Sequence, residues 1–257
     1  MNKKQGHDRG ISAFFADNKV GLDVVKYVLE RHPDHVKYVI TIHENEIAAL
    51  ARSVGCQVYH IDEISERSAK EILIGVDFIF LAWWPKIVPA YIIKTPNIGV
   101  VNFHPSLLPH NRGKHYNFWT IVEGTPFGVT LHFVDEGIDT GDILFQSVIE
   151  KSWEDTGGSL YMKAINSIVT LFKDRYLDIV EGRYHRTQQN LNIGQLHYSK
   201  ELDPASHIFL DKNYSARELL NLLRARTFPG KPACYFCDNN KKYEVRVSIK
   251  EIDNEPC

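Results

Sequence analysis

Cysteine is scarce in this chain, neither sign of charge dominates, and long apolar runs are missing. Four cysteines occur among 257 residues, at positions 56, 234, 237 and 257. Only Cys234 and Cys237 form a CxxC pair. No second ligand pair stands at metal-site spacing, so a zinc module is not expected and the pair reads as chance spacing in a strand. A chain of this length buries roughly three-quarters of its unfolded surface and needs no disulfide framework, which suits a cytoplasmic protein with reduced thiols. The formal net charge of −2 carries none of the basic excess of a nucleic-acid binder. No stretch reaches 18 uninterrupted apolar residues, so neither a membrane span nor a membrane partner is expected. Residues 1–10 are polar, which predicts a disordered leader and no signal peptide. The glycine signatures of nucleotide sites are also absent. The first apolar run leads into Ala16-Asp-Asn-Lys-Val-Gly21, with neither GxGxxG nor a Walker lysine, and a dinucleotide dehydrogenase is left unsupported.

What the chain does contain is an alternation of strand-like and helix-like pieces. Apolar runs at 11–16, 36–42, 58–61, 77–84 and 98–103 predict strands, and periodic stretches at 20–31, 46–54 and 65–74 predict helices. Alternating units of this size imply a mostly parallel sheet with helices on its faces, an α/β fold that binds ligands at the carboxyl ends of its strands. Two further strands, at 129–134 and 143–150, flank a loop rich in glycine and aspartate, and a helix is expected over 158–180. The chain turns polar near 185–205, where Gln188, Gln189, Asn190 and Asn192 cluster. A helix over 216–226 capped by Ser215 and a β-hairpin around Asp238-Asn-Asn-Lys241 follow. The expected organisation is a leader over 1–10, a catalytic domain over 11–190 and a small C-terminal region over 191–257.

The chemistry centres on Asn102 and His104. They lie two apart at the end of an apolar strand and so project from one face, and Pro105 and Pro109 end the strand and stiffen the turn. About 35 residues on stands Asp139, in the glycine-rich loop. An amide, an imidazole and a carboxylate converging beyond strand ends make an acyl-transfer set: an oxyanion donor, a proton carrier and an anion to tune it. By residue type alone, an Asn and a His near a strand end are more often hydrogen-bonded loop residues than catalytic ones.

The surrounding wording separates the two readings. Asn102-Phe-His-Pro-Ser-Leu-Leu-Pro109, Arg112-Gly113 and the run Gly128-Val-Thr-Leu-His-Phe-Val-Asp-Glu-Gly-Ile-Asp-Thr-Gly-Asp-Ile-Leu144 resemble the folate-dependent formyltransferases. That family includes the glycinamide ribonucleotide and methionyl-tRNA enzymes. The resemblance is close over about residues 75–150. It implies a Rossmann-like formyltransferase domain, catalytic Asn102, His104 and Asp139, and 10-formyltetrahydrofolate as co-substrate without a metal. It also implies folate contacts at Trp83, Trp84 and Pro85 and at Val134, Asp135 and Gly137, with backbone groups facing the pterin, while Trp84 reads equally as a core lid.

After Gly113 the chain reads Lys114-His-Tyr-Asn-Phe-Trp119. This segment and two in the tail, 198–203 and 221–230, look like those of nucleotide-sugar N-formyltransferases, which act on amino sugars bound for surface polysaccharide. Lys86, Lys200 and Arg224 are candidate diphosphate contacts or else solvated charges. Asn117 and Trp119 are candidate acceptor contacts, with helix packing as the other reading of Trp119. The resemblance implies a homodimer as the assembly. The other readings are an enzyme of the same chemistry acting on glycinamide ribonucleotide, tRNA or water, and a non-catalytic sugar-nucleotide or folate-binding module. His110, His115, His132, His185 and His197 read as structural or exposed.

Overall fold

The computed structural model describes residues 10–252; the expected leader lies, apart from Gly10, outside the described residues, as does Cys257. In chain order the first elements are β1 (Ser12–Ala16), α1 (Asn18–Arg31), β2 (Val36–Thr41), α2 (Glu46–Ser53), β3 (Gln57–His60) and α3 (Glu66–Ile72). Next come β4 (Phe78–Ala82), α4 (Ala90–Ile93), β5 (Gly99–His104), β6 (Arg112–Gly113), α5 (Tyr116–Val122), β7 (Gly128–Phe133) and β8 (Ile143–Val148). The chain continues through α6 (Gly157–Val180), β9 (Leu196–His197), α7 (Leu202–Ala205), α8 (Ala216–Arg226), β10 (Cys234–Asp238) and β11 (Lys241–Val245).

Contacts divide the chain into two interleaved units. The first comprises the chain up to His104, Thr130–Gln146 and Ile168–Gln189. Its framework is a seven-stranded sheet in the order β3-β2-β1-β4-β5-β7-β8. β1 to β5 pair in parallel, whereas β7 runs antiparallel to β5. The mostly parallel α/β sheet expected from the sequence is thus present. All five residues of β1 and of β4 are buried, as central parallel strands covered on both faces require. Successive side chains serve opposite faces. Phe14 and Phe80 stack at 5.1 Å and meet Phe172 and Tyr176 of α6. Phe15, Ile79 and Leu81 pack into a second cluster with Ala69, Leu73 and Ile92.

The second unit comprises Pro105–Val129, Ser147–Ser167 and the chain from Asn190 on. Here α8 packs against α5. The helix begins where expected: Ser215 accepts from the Glu218 amide, and Glu218 reaches back to the Ser215 amide, a reciprocal cap. β10 and β11 form the expected antiparallel hairpin. Asn239 and Asn240 turn it at φ 46° and 62°, the left-handed pair that a tight hairpin demands and asparagine tolerates. Cys234 is buried and Cys237 exposed. Burial pushes the Cys234 thiol up to about 12, so it is an inert packing group. Among the described residues no helix is long and apolar enough to cross a membrane.

Candidate active site

The first unit assembles Asn102, His104 and Asp139 at one place. β5 presents Asn102 and His104 at its carboxyl end, and the loop after β7 returns Asp139 to them. Asp139 Oδ2 lies 3.4 Å from His104 Nδ1, and Asp139 Oδ1 accepts from Asn102 Nδ2 at 3.4 Å. His104 is 4% exposed, so its contact with Asp139 is sheltered from water.

A fourth side chain completes the cluster. The β5–β7 register sets His132 directly opposite Asn102. His132 is 1% exposed. Its Nδ1 lies 2.7 Å from the Phe133 carbonyl, which can only accept, so Nδ1 carries the hydrogen. Nε2 is then an acceptor, and Asn102 Nδ2 donates to it at 3.3 Å. Burial, helped by the nearby His104, lowers the His132 pKa to about 4 against the opposing pull of Asp139. The ring is neutral at pH 7. Sequence reading gives His132 no role, because the cross-strand register that matters is a tertiary fact.

The loop carrying Asp139 is tightly determined. The Asp135 carboxylate accepts from the Gly137 amide (3.0 Å) and from the Thr140 hydroxyl (2.6 Å). Asp139 is left-handed at φ 52°. A Cβ on Gly141 would lie 1.9 Å from the Phe133 carbonyl oxygen, so only glycine permits this approach.

The remaining expected contacts fall as follows. Trp83 follows directly on β4 in a left-handed conformation, φ 60°. Trp84 packs edge-on to Phe15 at 5.3 Å and joins the core cluster, as does Val134. Pro85 and Lys86 are exposed, and Lys86 Nζ is 3.9 Å from Asp62. The backbone amides of Val134 and Gly137, expected to face a pterin, are paired internally, with the Val100 carbonyl and the Asp135 carboxylate.

Within the second unit, Asn117 donates to the Gly157 carbonyl at 2.8 Å. Trp119 stacks flat on His197, centroids 3.9 Å apart, with its indole nitrogen buried and unpaired among the described residues. His197 in turn lies between Glu123 and Glu201, 3.0 and 3.1 Å away. Lys200 is exposed. Arg224, an expected acceptor contact, uses Nε and Nη1 within the fold. It is 9% exposed and donates from Nη1 to the Ser152 and Asp155 carbonyls and from Nε to Asn221 Oδ1. It also stacks over Trp153. Its surroundings make it a staple of the second unit.

Comparison with known proteins agrees with this architecture. The profile described as Formyl transferase matches residues 55–170, and the N-formyltransferase dimerization C-terminal domain matches residues 201–251. A methionyl-tRNA formyltransferase of Agathobacter rectalis is 32% identical over 218 residues, covering 83% of this chain and 68% of that protein. The chain spans only 58% and 47% of two other such enzymes. A dTDP-4-amino-4,6-dideoxyglucose formyltransferase of Mycobacterium bovis is 28% identical over 190 residues, covering 73% of this chain and 79% of its own. Among solved structures, a 4-N formyltransferase of Francisella tularensis aligns with TM-score 0.75 at 25% identity, over 96% of this chain and all of that one. An N-formyltransferase of Helicobacter canadensis, solved with folinic acid and dTDP-3-aminofucose, aligns with TM-score 0.71 at 22% identity, over 90% and 85%. With the amide, imidazole and carboxylate of the motif gathered at one strand end, the chain belongs to the formyltransferase family.

Proposed function

We propose that this protein moves a formyl group from 10-formyltetrahydrofolate to the amino group of a nucleotide-linked amino deoxysugar, of the dTDP-4-amino-4,6-dideoxyglucose type, for surface polysaccharide. The observation that carries the chemistry is the sheltered His104–Asp139 pair beside the Asn102 amide. The observation that favours a sugar acceptor is the match of residues 201–251 to the dimerization domain, together with the dTDP-amino-sugar relative aligned over most of its own length. By the same observation the working form is a homodimer, with residues 11–190 as the catalytic domain and 191–257 as the associating region. A net charge of −2 lacks the basic excess that tRNA phosphates demand. The methionyl-tRNA relative at 32% identity makes initiator tRNA the second acceptor to test.

In the proposed reaction the neutral sugar amine attacks the formyl carbon, and the bond from that carbon to the folate N10 breaks. Asp139 holds His104 by Nδ1, so Nε2 takes the amine proton and returns one to the departing N10. Asn102 donates to the tetrahedral oxyanion. Both of its N–H groups rest on long contacts, 3.3 Å to His132 and 3.4 Å to Asp139. The second contact weakens as the carboxylate turns to the imidazolium, which frees a donor as negative charge develops on oxygen. The segments 83–85 and 134–137 flank the folate, and Lys86, Asn117, Trp119 and Lys200 are the acceptor contacts; Arg224 supports them through the fold.

The test offers the purified protein 10-formyltetrahydrofolate with a panel of nucleotide-linked amino sugars, glycinamide ribonucleotide and initiator tRNA, and follows tetrahydrofolate release. Turnover on an amino sugar is expected. His104→Asn should reduce it about 10²- to 10⁴-fold. Turnover on tRNA alone would overturn the sugar assignment. A folded His104→Asn protein within about threefold of wild type would overturn the mechanism.

A further inference from the structure

The polar run after α6 contains a residue tied to the Asp139 loop. Thr187 and Ile143 exchange two backbone hydrogen bonds, 2.8 and 3.0 Å, in an antiparallel bridge that anchors this run to the start of β8. Two residues on, Gln189 is 7% exposed. Its Nε2 donates to the Asp139 carbonyl at 2.9 Å and to the Gly141 carbonyl at 2.7 Å. One carboxamide thus uses both hydrogens on the backbone either side of Thr140. Those carbonyls belong to a segment in which Asp139 is left-handed, a conformation that an ordinary residue keeps only when its surroundings over-determine it. Meanwhile Gln189 Oε1 is buried without a partner among the described residues. Burying an unpaired acceptor is unfavourable, and an apolar side chain of equal size would avoid it. The carboxamide therefore stands here for its two donations.

We infer that Gln189 is a positioning residue, a clamp that holds the Asp139 loop so that its carboxylate stays on His104 and Asn102. The clamp rests on the formyl-transfer reading for its effect on rate, but not for its effect on the loop. Gln189→Met keeps the volume and removes both donors. In that variant, KM for either substrate should stay within about threefold of wild type while kcat falls about 10- to 100-fold, the scale of a misplaced catalytic group. In an Asp139→Asn background the same change should cost less than about threefold, because the clamp acts through that carboxylate. An unchanged kcat in folded Gln189→Met, or losses that add in full, overturns the proposal.

If Gln189→Met does not fold, Gln189→Glu decides. Its ionised form has no donor and its protonated form has one, so its activity relative to wild type should climb as pH is lowered from about 8 to about 6. A flat ratio overturns the clamp. Amide hydrogen exchange over residues 136–141 reads the loop without turnover. Exchange there should quicken in the variant, and unchanged exchange overturns the clamp. A wild-type protein without formyl transfer would be a failure of the functional reading alone.

Discussion

An imidazole at 1% exposure whose two nitrogens already have partners, like His132, resists charging even beside a carboxylate. Desolvation of the cation outweighs the attraction of Asp139, and the pKa settles near 4. The consequence for stability has a definite sign. The ordinary value of 6.5 applies to the unfolded chain, which therefore binds a proton between pH 6.5 and 4 that the folded chain refuses. The contribution is complete above about pH 6.5 and is lost as pH falls toward 4, at up to about 1.4 kcal/mol per pH unit. Urea unfolding at pH 7 and pH 5 should show wild type losing about 2 kcal/mol more than His132→Asn. Equal losses would mean that the native ring accepts the proton. Arg224 illustrates the same competition from the other side. Its charge is offset by backbone carbonyls and an indole face, so it is held inside the second unit.

Two glycines show how an element is built by what it excludes. The loop between β7 and β8 closes because Gly141 passes the Phe133 carbonyl and Gly137 passes the Thr140 side chain. Added methyl groups would stand 1.9 Å from the first and 2.0 Å from the second. The obstacles differ in kind. A carbonyl in β7 cannot move without disturbing the strand that carries His132, whereas the Thr140 side chain can rotate by giving up its bond to Asp135, at about 1 kcal/mol. Gly141→Ala should therefore lower kcat at least tenfold, and Gly137→Ala considerably less. Circular dichroism would establish that both fold, and the reverse order of activities would contradict this account.

At the scale of the whole molecule, the segment matched by the dimerization domain carries exposed apolar side chains. Phe209 is 54% exposed and Leu210 57%. In the proposed homodimer these side chains would be sheltered from water. Light scattering should give twice the chain mass, and Phe209→Glu with Leu210→Glu should reduce it to one chain while leaving α8 and its cap intact. A single-chain mass for wild type at every concentration would dismiss the homodimer.

Local pattern by itself determined a good deal of this protein. Apolar runs rich in phenylalanine, such as residues 13–16 and Phe78–Ala82, read as buried strands in an alternating α/β pattern. Ser215 three residues ahead of Glu218, before an apolar-periodic run, starts a helix, and Asn239 and Asn240 turn a hairpin. The family wording around Asn102, His104 and Asp139 was equally legible, because the motif is contiguous on each side of the loop. Only the tertiary structure decided which groups meet. β7 had to run antiparallel to β5, in one particular register, to put His132 against Asn102. Thr187 had to bridge to Ile143 to bring Gln189 under the Asp139 loop, and burial had to turn Arg224 inward. Sequence periodicity records which face of an element is apolar. It does not record which strand lies opposite, and the meeting of His132 with Asn102 is set by that opposition.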